Sequence, residues 1–258
     1  MKTTVQTTGT WVAKFIPAID SLRMNKILIL LAFSVFVFSS CEKMNNRIDG
    51  QGPYVSDEIS INNIDDLRVS TYAEVYISKG EKSLRIEGES NILAALNVEE
   101  KNGLLEIGKN NKFGDMKPLK IYFATPKLNA IHTAGDICVS SNDIFITHSF
   151  KINMSGVGNL NMKIQTDELS TNLSGETDIE ISGTSTKHDL NVSGLCEIAC
   201  FNLLTKETDI IASGDSNIEV QVEEKLNVVI SGSSNIYYKG IPVISQEISG
   251  SGKIISAN

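Results

Sequence analysis

A Ser-Gly pair recurs along the second half of the chain, ending at Gly156, Gly175, Gly194, Gly214, Gly232 and Gly250, with Ala134-Gly135 as a degenerate first member. The intervals are 21, 19, 19, 20, 18 and 18 residues. A period in this range marks stacked supersecondary units, each too small to bury an apolar face alone. Within three residues of each glycine a polar–apolar pair follows: Asn159-Leu160, Asp178-Ile179, Glu197-Ile198, Asn217-Ile218, Asn235-Ile236 and Lys253-Ile254. Strict alternation comes next. In NIEVQVEEKLNVVISG, Ile218, Val220 and Val222 share one strand face, and Leu226, Val228 and Ile230 share one face of the following segment.

Two all-β arrangements can use this period: a stack of antiparallel hairpins, or a parallel β-solenoid in which each unit is one coil. Hairpins favour Asn-Gly or Asp-Gly at the mid-unit bend. The bends instead read EEK, GTSTK and LLTKE, with no such pair at a fixed place. One glycine per unit does stay in register. Stacked strands repeat at about 4.8 Å, so a corner needing positive φ in one coil needs it in every coil. The expectation is therefore a parallel β-solenoid (β-helix) of about six coils over residues 127–258. Ser155, Ser174, Ser193, Ser213, Ser231 and Ser249 would stand beside the glycine corners as a hydroxyl column. Asn159, Asp178, Glu197, Asn217 and Asn235 would form a polar ladder.

Residues 55–126 read as an N-terminal, hairpin-rich β region placed to cap the first coil. Two alternating runs meet at Lys79-Gly80, and Asn102-Gly103 separates another two, a strong hairpin signal. NILAAL, 91–96, reads as one helical turn. The far end, EISGSGKIISAN, has no dedicated cap. Beyond Cys41 the cysteines are Cys138, Cys196 and Cys200, an odd number without a CxxC, which reads as buried free thiols.

Upstream, residues 27–38, ILILLAFSVFVF, form an apolar run of 12 after Lys26. That is shorter than the roughly 18 residues a span requires and within the ~7–15 of a signal-peptide core. Ser39-Ser40-Cys41 resembles a bacterial lipobox, which makes Cys41 the lipidated residue. Residues 24–41 are thus expected to be a lipoprotein signal peptide, residues 1–23 an over-called start, and residues 42–54, polar and aperiodic, a tether. Removing 1–41 takes away four basic side chains and one acidic: 23 − 4 = 19 basic and 31 − 1 = 30 acidic remain, a net charge of −11. Such a body lacks the basic stripe that nucleic acid requires. Attachment to a membrane then falls to the N-terminal lipid.

From Ile59 to Ile255 the chain resembles the autotransporter-adhesin head GIN domain family, common among Bacteroidetes lipoproteins. The segments that carry the resemblance are Arg68–Ile77, NGLLEIG, LKIYFATPKLNAIHTAGD and NIYYKGIPVISQEISGSGKI. It implies a β-solenoid with an N-terminal β region, an adhesin role and no catalytic residues. The chain departs from the family's Gly-Ser-Gly-Asp corner in most coils, with Cys196 replacing a small residue in one.

No chemistry-bearing motif competes with that reading. His132, His148 and His188 are far apart, without HxxH or HxH spacing, and read as surface or corner histidines. GxSxG, Walker and Rossmann loops are absent. The sequons at Asn153, Asn172 and Asn191 are by-products of the repeat. The ladder columns either satisfy corner backbone groups locally or offer a regular face to sugar hydroxyls. Ca²⁺ would need six to eight oxygens, and one carboxylate per second coil is thin for that. No metal or cofactor is expected. The leading expectation is a non-catalytic outer-membrane lipoprotein that binds a glycan or a host or envelope protein in adhesion. The alternatives are a structural envelope component and a polysaccharide-degrading solenoid enzyme. The attachment is testable: Cys41→Ala should stall processing or release the protein from the membrane fraction. A mature, unmodified Cys41→Ala protein that still fractionates with membranes would overturn it.

Overall fold

The structure, a computed structural model, describes residues 47–108 and 110–258. Cys41, the signal peptide and the start of the tether lie outside the described residues. The protein is all-β. Its strands are β1 (Tyr54–Ile59), β2 (Asp66–Val69), β3 (Ala73–Lys79), β4 (Ser83–Glu89), β5 (Val98–Lys101), β6 (Leu104–Ile107), β7 (Leu119–Thr125), β8 (Ala130–Gly232), β9 (Asn235–Lys239), β10 (Val243–Gly250) and β11 (Lys253–Ser256). One short helix, α1 (Ser90–Ala95), interrupts them. Among the described residues these strands join in one mixed sheet.

The mixture has a simple distribution. Antiparallel pairs occur only near the N-terminus: β1 with β4, β4 with β7, and β5 with β6. Every other pairing is parallel. Asn102 (φ 52°) and Gly103 (φ 82°) turn β5 into β6, as the Asn-Gly signal requires. The Lys79-Gly80 hairpin does not form. β7 lies between the two strands it would have joined, parallel to β3 and antiparallel to β4. A tight two-residue hairpin needs positive φ at its centre, and residues 80–82 supply none. Leu119–Thr125, buried at alternate positions, fills the gap instead. The supposed tether is also anchored from Ile48 onward. Ile48 bridges Phe113, the Gly50 amide donates to the Asp115 carbonyl at 2.7 Å, and the Asp115 amide donates to the Asp49 side chain at 3.0 Å.

β8 is continuous for 103 residues, which would span about 340 Å if straight. It bends sharply instead. Gly135, Gly156, Gly175, Gly194, Gly214, Gly232 and Gly250 all have φ between 106° and 139°. A Cβ added at Gly194 would press on the Gly175 carbonyl and lie 2.9 Å from its nitrogen; Gly232 stands in the same relation to Gly214. Glycines one period apart therefore lie in van der Waals contact. The explicit registers agree: β10 pairs with residues 225–232, β9 with residues 217–221 and β11 with residues 235–238, each at an offset of 18. In these segments the chain lies parallel to itself one period back, and each period is a row.

Alternation decides what faces the core. Ile218, Val220, Val222, Leu226, Val228 and Ile230 are all at most 2% exposed, and the Leu160, Ile179, Ile198 and Ile236 that follow the corners are equally buried. Each such side chain contributes roughly 1.5–3 kcal/mol on leaving water, and rows above and below supply most of the cover. The core is one continuous cluster from Ile64 to Ile236, within one compact unit, Arg47–Asn258. β2 and β3 pair in parallel with the start of β8 and close the first row, setting Leu67 beside Ile131 and Val75 beside Val139. Of the thiols, Cys196 and Cys200 are buried and free, but Cys138 is exposed. It stands three residues after Gly135, where the alternation points outward.

The corner is doubly constrained, by φ and by the carbonyl beneath it. Gly232→Ala should therefore destabilise the protein by at least about 1–2 kcal/mol. Ser231, exposed and without a side-chain hydrogen bond among the described residues, should tolerate Ala within about 0.5 kcal/mol. Chemical denaturation of both variants measures the difference, and equal losses would contradict this account of the corner.

Candidate functional site

The two predicted columns flank the glycine corner and open onto different grooves. The serines lie on the strand entering the corner, and the polar ladder lies on the strand leaving it. Along the leaving strand, the third residue after each glycine faces outward: Asn159, Asp178, Glu197, Asn217 and Asn235. Pairing of β3 with β8 adds Glu74 and Cys138 above them. Two residues further on runs a second outward column, which passes from Tyr76 beside Ser140 to Tyr237 beside Glu219 and continues to Tyr122 at one end and Ile255 at the other. Between the two columns is a groove of about 690 Å³. Six steps of ~4.8 Å separate Tyr76 from Tyr237, giving about 29 Å of length.

Hydrogen bonds between rows hold this surface in place. The Asn161 amide donates to Glu180 at 2.7 Å, that of Asn217 to Glu197 at 2.7 Å, and that of Asn235 to Asn217 at 3.2 Å. At the N-terminal end the Tyr76 hydroxyl donates to Glu74 at 2.8 Å, which raises its pKa. The Tyr76 ring stacks on Tyr122 at 5.1 Å, and the Arg85 guanidinium covers Tyr122 from 4.0 Å. Glu74, Asp178, Glu180, Glu197 and Glu219 line the groove, and no lysine or arginine does. Its field disfavours anions.

The second groove, of about 480 Å³, includes Ser155, Ser174, Ser193 and Ser213 in its lining; Ser231 and Ser249 continue their column toward the C-terminus, as the register of β10 with β8 shows. Its floor is a ladder of asparagine amides. Asn191 donates to Asn172 at 3.0 Å, Asn172 to Asn153 at 2.9 Å, and Asn153 meets the His132 ring at 2.8 Å. The residues of the three sequons thus interlock across rows. Ser155 and Ser213 donate to backbone carbonyls of the preceding row, Thr133 and Val192. Burial, and then the nearby Arg68, lower the His132 pKa.

Two further columns have no counterpart in the sequence reading. Inside each corner, two residues after the glycine, stand the buried Thr177, Cys196, Ser216 and Ser234. The Ser216 and Ser234 hydroxyls donate to the Gly194 and Gly214 carbonyls, and the Cys196 amide donates to Ser216. The Gly214 carbonyl also accepts the Ser233 amide at 2.9 Å, so the Ser234 hydroxyl is a second donor to an oxygen already paired between rows. The mid-unit bends have their own column, Thr125, Thr166, Ser185 and Thr205, whose hydroxyls donate to carbonyls of an adjacent row. A Thr or Ser recurring every 19 or 20 residues from Thr147 to Thr205 was the available signal.

The histidines divide three ways. His148 is exposed, and its hydrogen bond to Asp167, 2.6 Å, raises its pKa. His132 is half-buried. His188, expected at the surface or a corner, is wholly buried: its Nε2 lies 3.1 Å from the Thr171 hydroxyl, and its Nδ1 has no partner among the described residues. It occupies an inward position of the alternation, which the isolated His-Asp-Leu stretch does not reveal. Among the described residues no group of acidic, His or Cys side chains could hold a metal, and no helix is long and apolar enough to cross a membrane.

A rigid all-β repeat body with long polar faces is the class that this geometry defines. The chain belongs to the family described as putative auto-transporter adhesin, head GIN domain, whose model matches residues 63–242. Similar solved structures include a putative adhesin from Bacteroides fragilis, with 24% identity and a TM-score of 0.71 over 81% of this chain and 99% of that one. A putative lipid binding protein from Parabacteroides distasonis is 26% identical, with a TM-score of 0.66 over 83% and 100%. A putative adhesin from Parabacteroides merdae is 18% identical, with a TM-score of 0.60 over 82% and 99%. No curated protein matches the chain.

Burial lowers the His188 imidazole from 6.5 to about 4. The unfolded chain therefore takes up this proton first as pH falls. The cost of keeping this imidazole neutral is absent above about pH 6.5 and grows as pH falls toward 4, to roughly 3 kcal/mol in full. His188→Leu should thus lose less melting temperature than the native protein between pH ~7 and ~4.5. Parallel losses would show that His188 is not a source of acid sensitivity.

Proposed function

We propose that this protein is a non-catalytic lipoprotein of the outer membrane whose body is a parallel β-solenoid, and that it binds an extended, uncharged polymer in the groove between Tyr76 and Tyr237. The observation that carries this reading is the interlocked polar surface of that groove. Amides and carboxylates recur along about 29 Å of the groove, interrupted by Ser140 and Ala199, with Tyr76 and Tyr237 near its two ends. Such a surface can repeat the same hydrogen bonds along a chain of sugars, and the tyrosines can stack on ring faces at its ends. The five carboxylates disfavour sulfated or uronic polymers, so neutral glycans are the better fit. Membership in an adhesin-named family supports a role in attachment. The parallel offset of 18 and the glycine contacts support the solenoid description, with the antiparallel strands confined to its N-terminal end. Cys41 supplies the anchor in this reading.

The test is a glycan array and a titration with the positive probes, comparing Tyr76→Ala, Tyr237→Ala and Asn217→Ala with Asn172→Ala in the second groove. The first three should each weaken binding several-fold at unchanged melting temperature, because each row makes a similar contact, whereas Asn172→Ala should not. No glycan bound, or equal effects from both grooves, would remove the assignment and leave a structural envelope role. Turnover of a bound polysaccharide, abolished by one carboxylate variant, would establish the enzyme alternative.

A further inference from the structure

The two ends of the row stack are not alike. β2 and β3 close the first row, and the chain enters beside them, where Ile48 meets Phe113. At the other end β10 pairs only with β8, and β11 only with β9, among the described residues. Every residue of β10 is exposed. Ile244 and Ile248 are in register with Leu226 and Ile230, which are at most 1% exposed, yet they are themselves 37% and 38% exposed. They are core residues with cover on one side only. Their strand is a lightly protected free edge: β10 has no lysine and no proline, the Pro242 before it lying outside, and Glu247 is its single charge.

We infer that this end is a self-association surface, occupied by the same end of a second copy in a two-fold dimer. Two observations select that occupant. The segment 241–258 carries one acidic and one basic side chain, Glu247 and Lys253, on a body of net charge −11. It is the neutral end of an acidic body, where a second acidic copy can approach without repulsion. Its sequence also fits antiparallel pairing with itself. A two-fold axis at Gln246 sets Ile244 opposite the partner's Ile248, and Ile248 opposite the partner's Ile244. All three inward positions then continue both cores across the join, and Ser245 and Glu247 stay outside.

Sedimentation equilibrium of the full chain in mild detergent, with Cys138→Ser as background, tests this. The native surface should give a dimer that holds or tightens with added salt, because screening relieves the repulsion between the two acidic bodies. Ile248→Lys should weaken it at least about tenfold by placing a charge in the join, with unchanged circular dichroism showing that the variant folds. Gln246→Cys should form a disulfide-linked dimer under mild oxidation, and Val229→Cys, on an outer face, should not. A monomer at the highest soluble concentration would overturn the inference. So would a dimer indifferent to Ile248→Lys that also fails to cross-link at position 246, since it would use another face. Glycan binding by the monomeric variant at native strength would leave the groove assignment intact, so the two proposals fail separately.

Discussion

The contact between glycines one period apart is what the rest of the molecule depends on. Because Gly194 rests on Gly175 with no room for a Cβ, the backbones at this corner approach as closely as they can. That approach fixes the register of every row on the one before it. Once the register is fixed, alternation assigns each side chain inward or outward, and equivalent residues fall into columns. An insertion of one residue between corners would turn every following side chain to the wrong face until the next corner. Intervals that vary between 18 and 21 are tolerated because the bends away from the glycine corner absorb the difference.

At the sharp bends, short hydroxyl side chains add hydrogen bonds to backbone carbonyls. Ser216 and Ser234 serve the glycine corner, and Thr166, Ser185 and Thr205 serve the mid-unit bend. Thr177 meets the Cys196 sulfur at 3.1 Å in the same column. Cys196 is a conservative occupant there, small and mostly apolar, whose amide is satisfied by Ser216. A thiol in this position is a packing choice, which accords with its burial.

The parts of this architecture legible in the sequence are those set by period two and by glycine. The inward placement of Val228 and the outward placement of Val229 follow from alternation alone, and the turn at Asn102-Gly103 from local φ preference. What was not legible depends on which strands become neighbours. Lys79-Gly80 resembles a turn locally, yet β7 intervenes from 40 residues later, since its own alternation fits the site between β3 and β4. His188 falls on an inward position that its polar neighbours conceal. The grooves were half legible: the ladder residues could be named, but not that the serine column opens elsewhere, because a single corner residue turns the two columns onto different faces.

A surface of this kind would distribute recognition over rows, and that would change which residues matter. In a compact active site a few groups converge on one atom, so their types and spacing leave a motif. Here each row needs only an outward hydrogen-bonding side chain of suitable length, and Asn, Asp and Glu alternate down one column without disturbing its interlock: Glu197 accepts from Asn217, which in turn accepts from Asn235. Individual positions can vary while the column persists. The constraint falls on the glycines and the inward aliphatics that hold the rows in register, and on the few residues that occur once. Tyr76 and Tyr237 are of that kind. They are the two rings in the lining of the groove, one near each of its ends. The repeat sets the spacing between them.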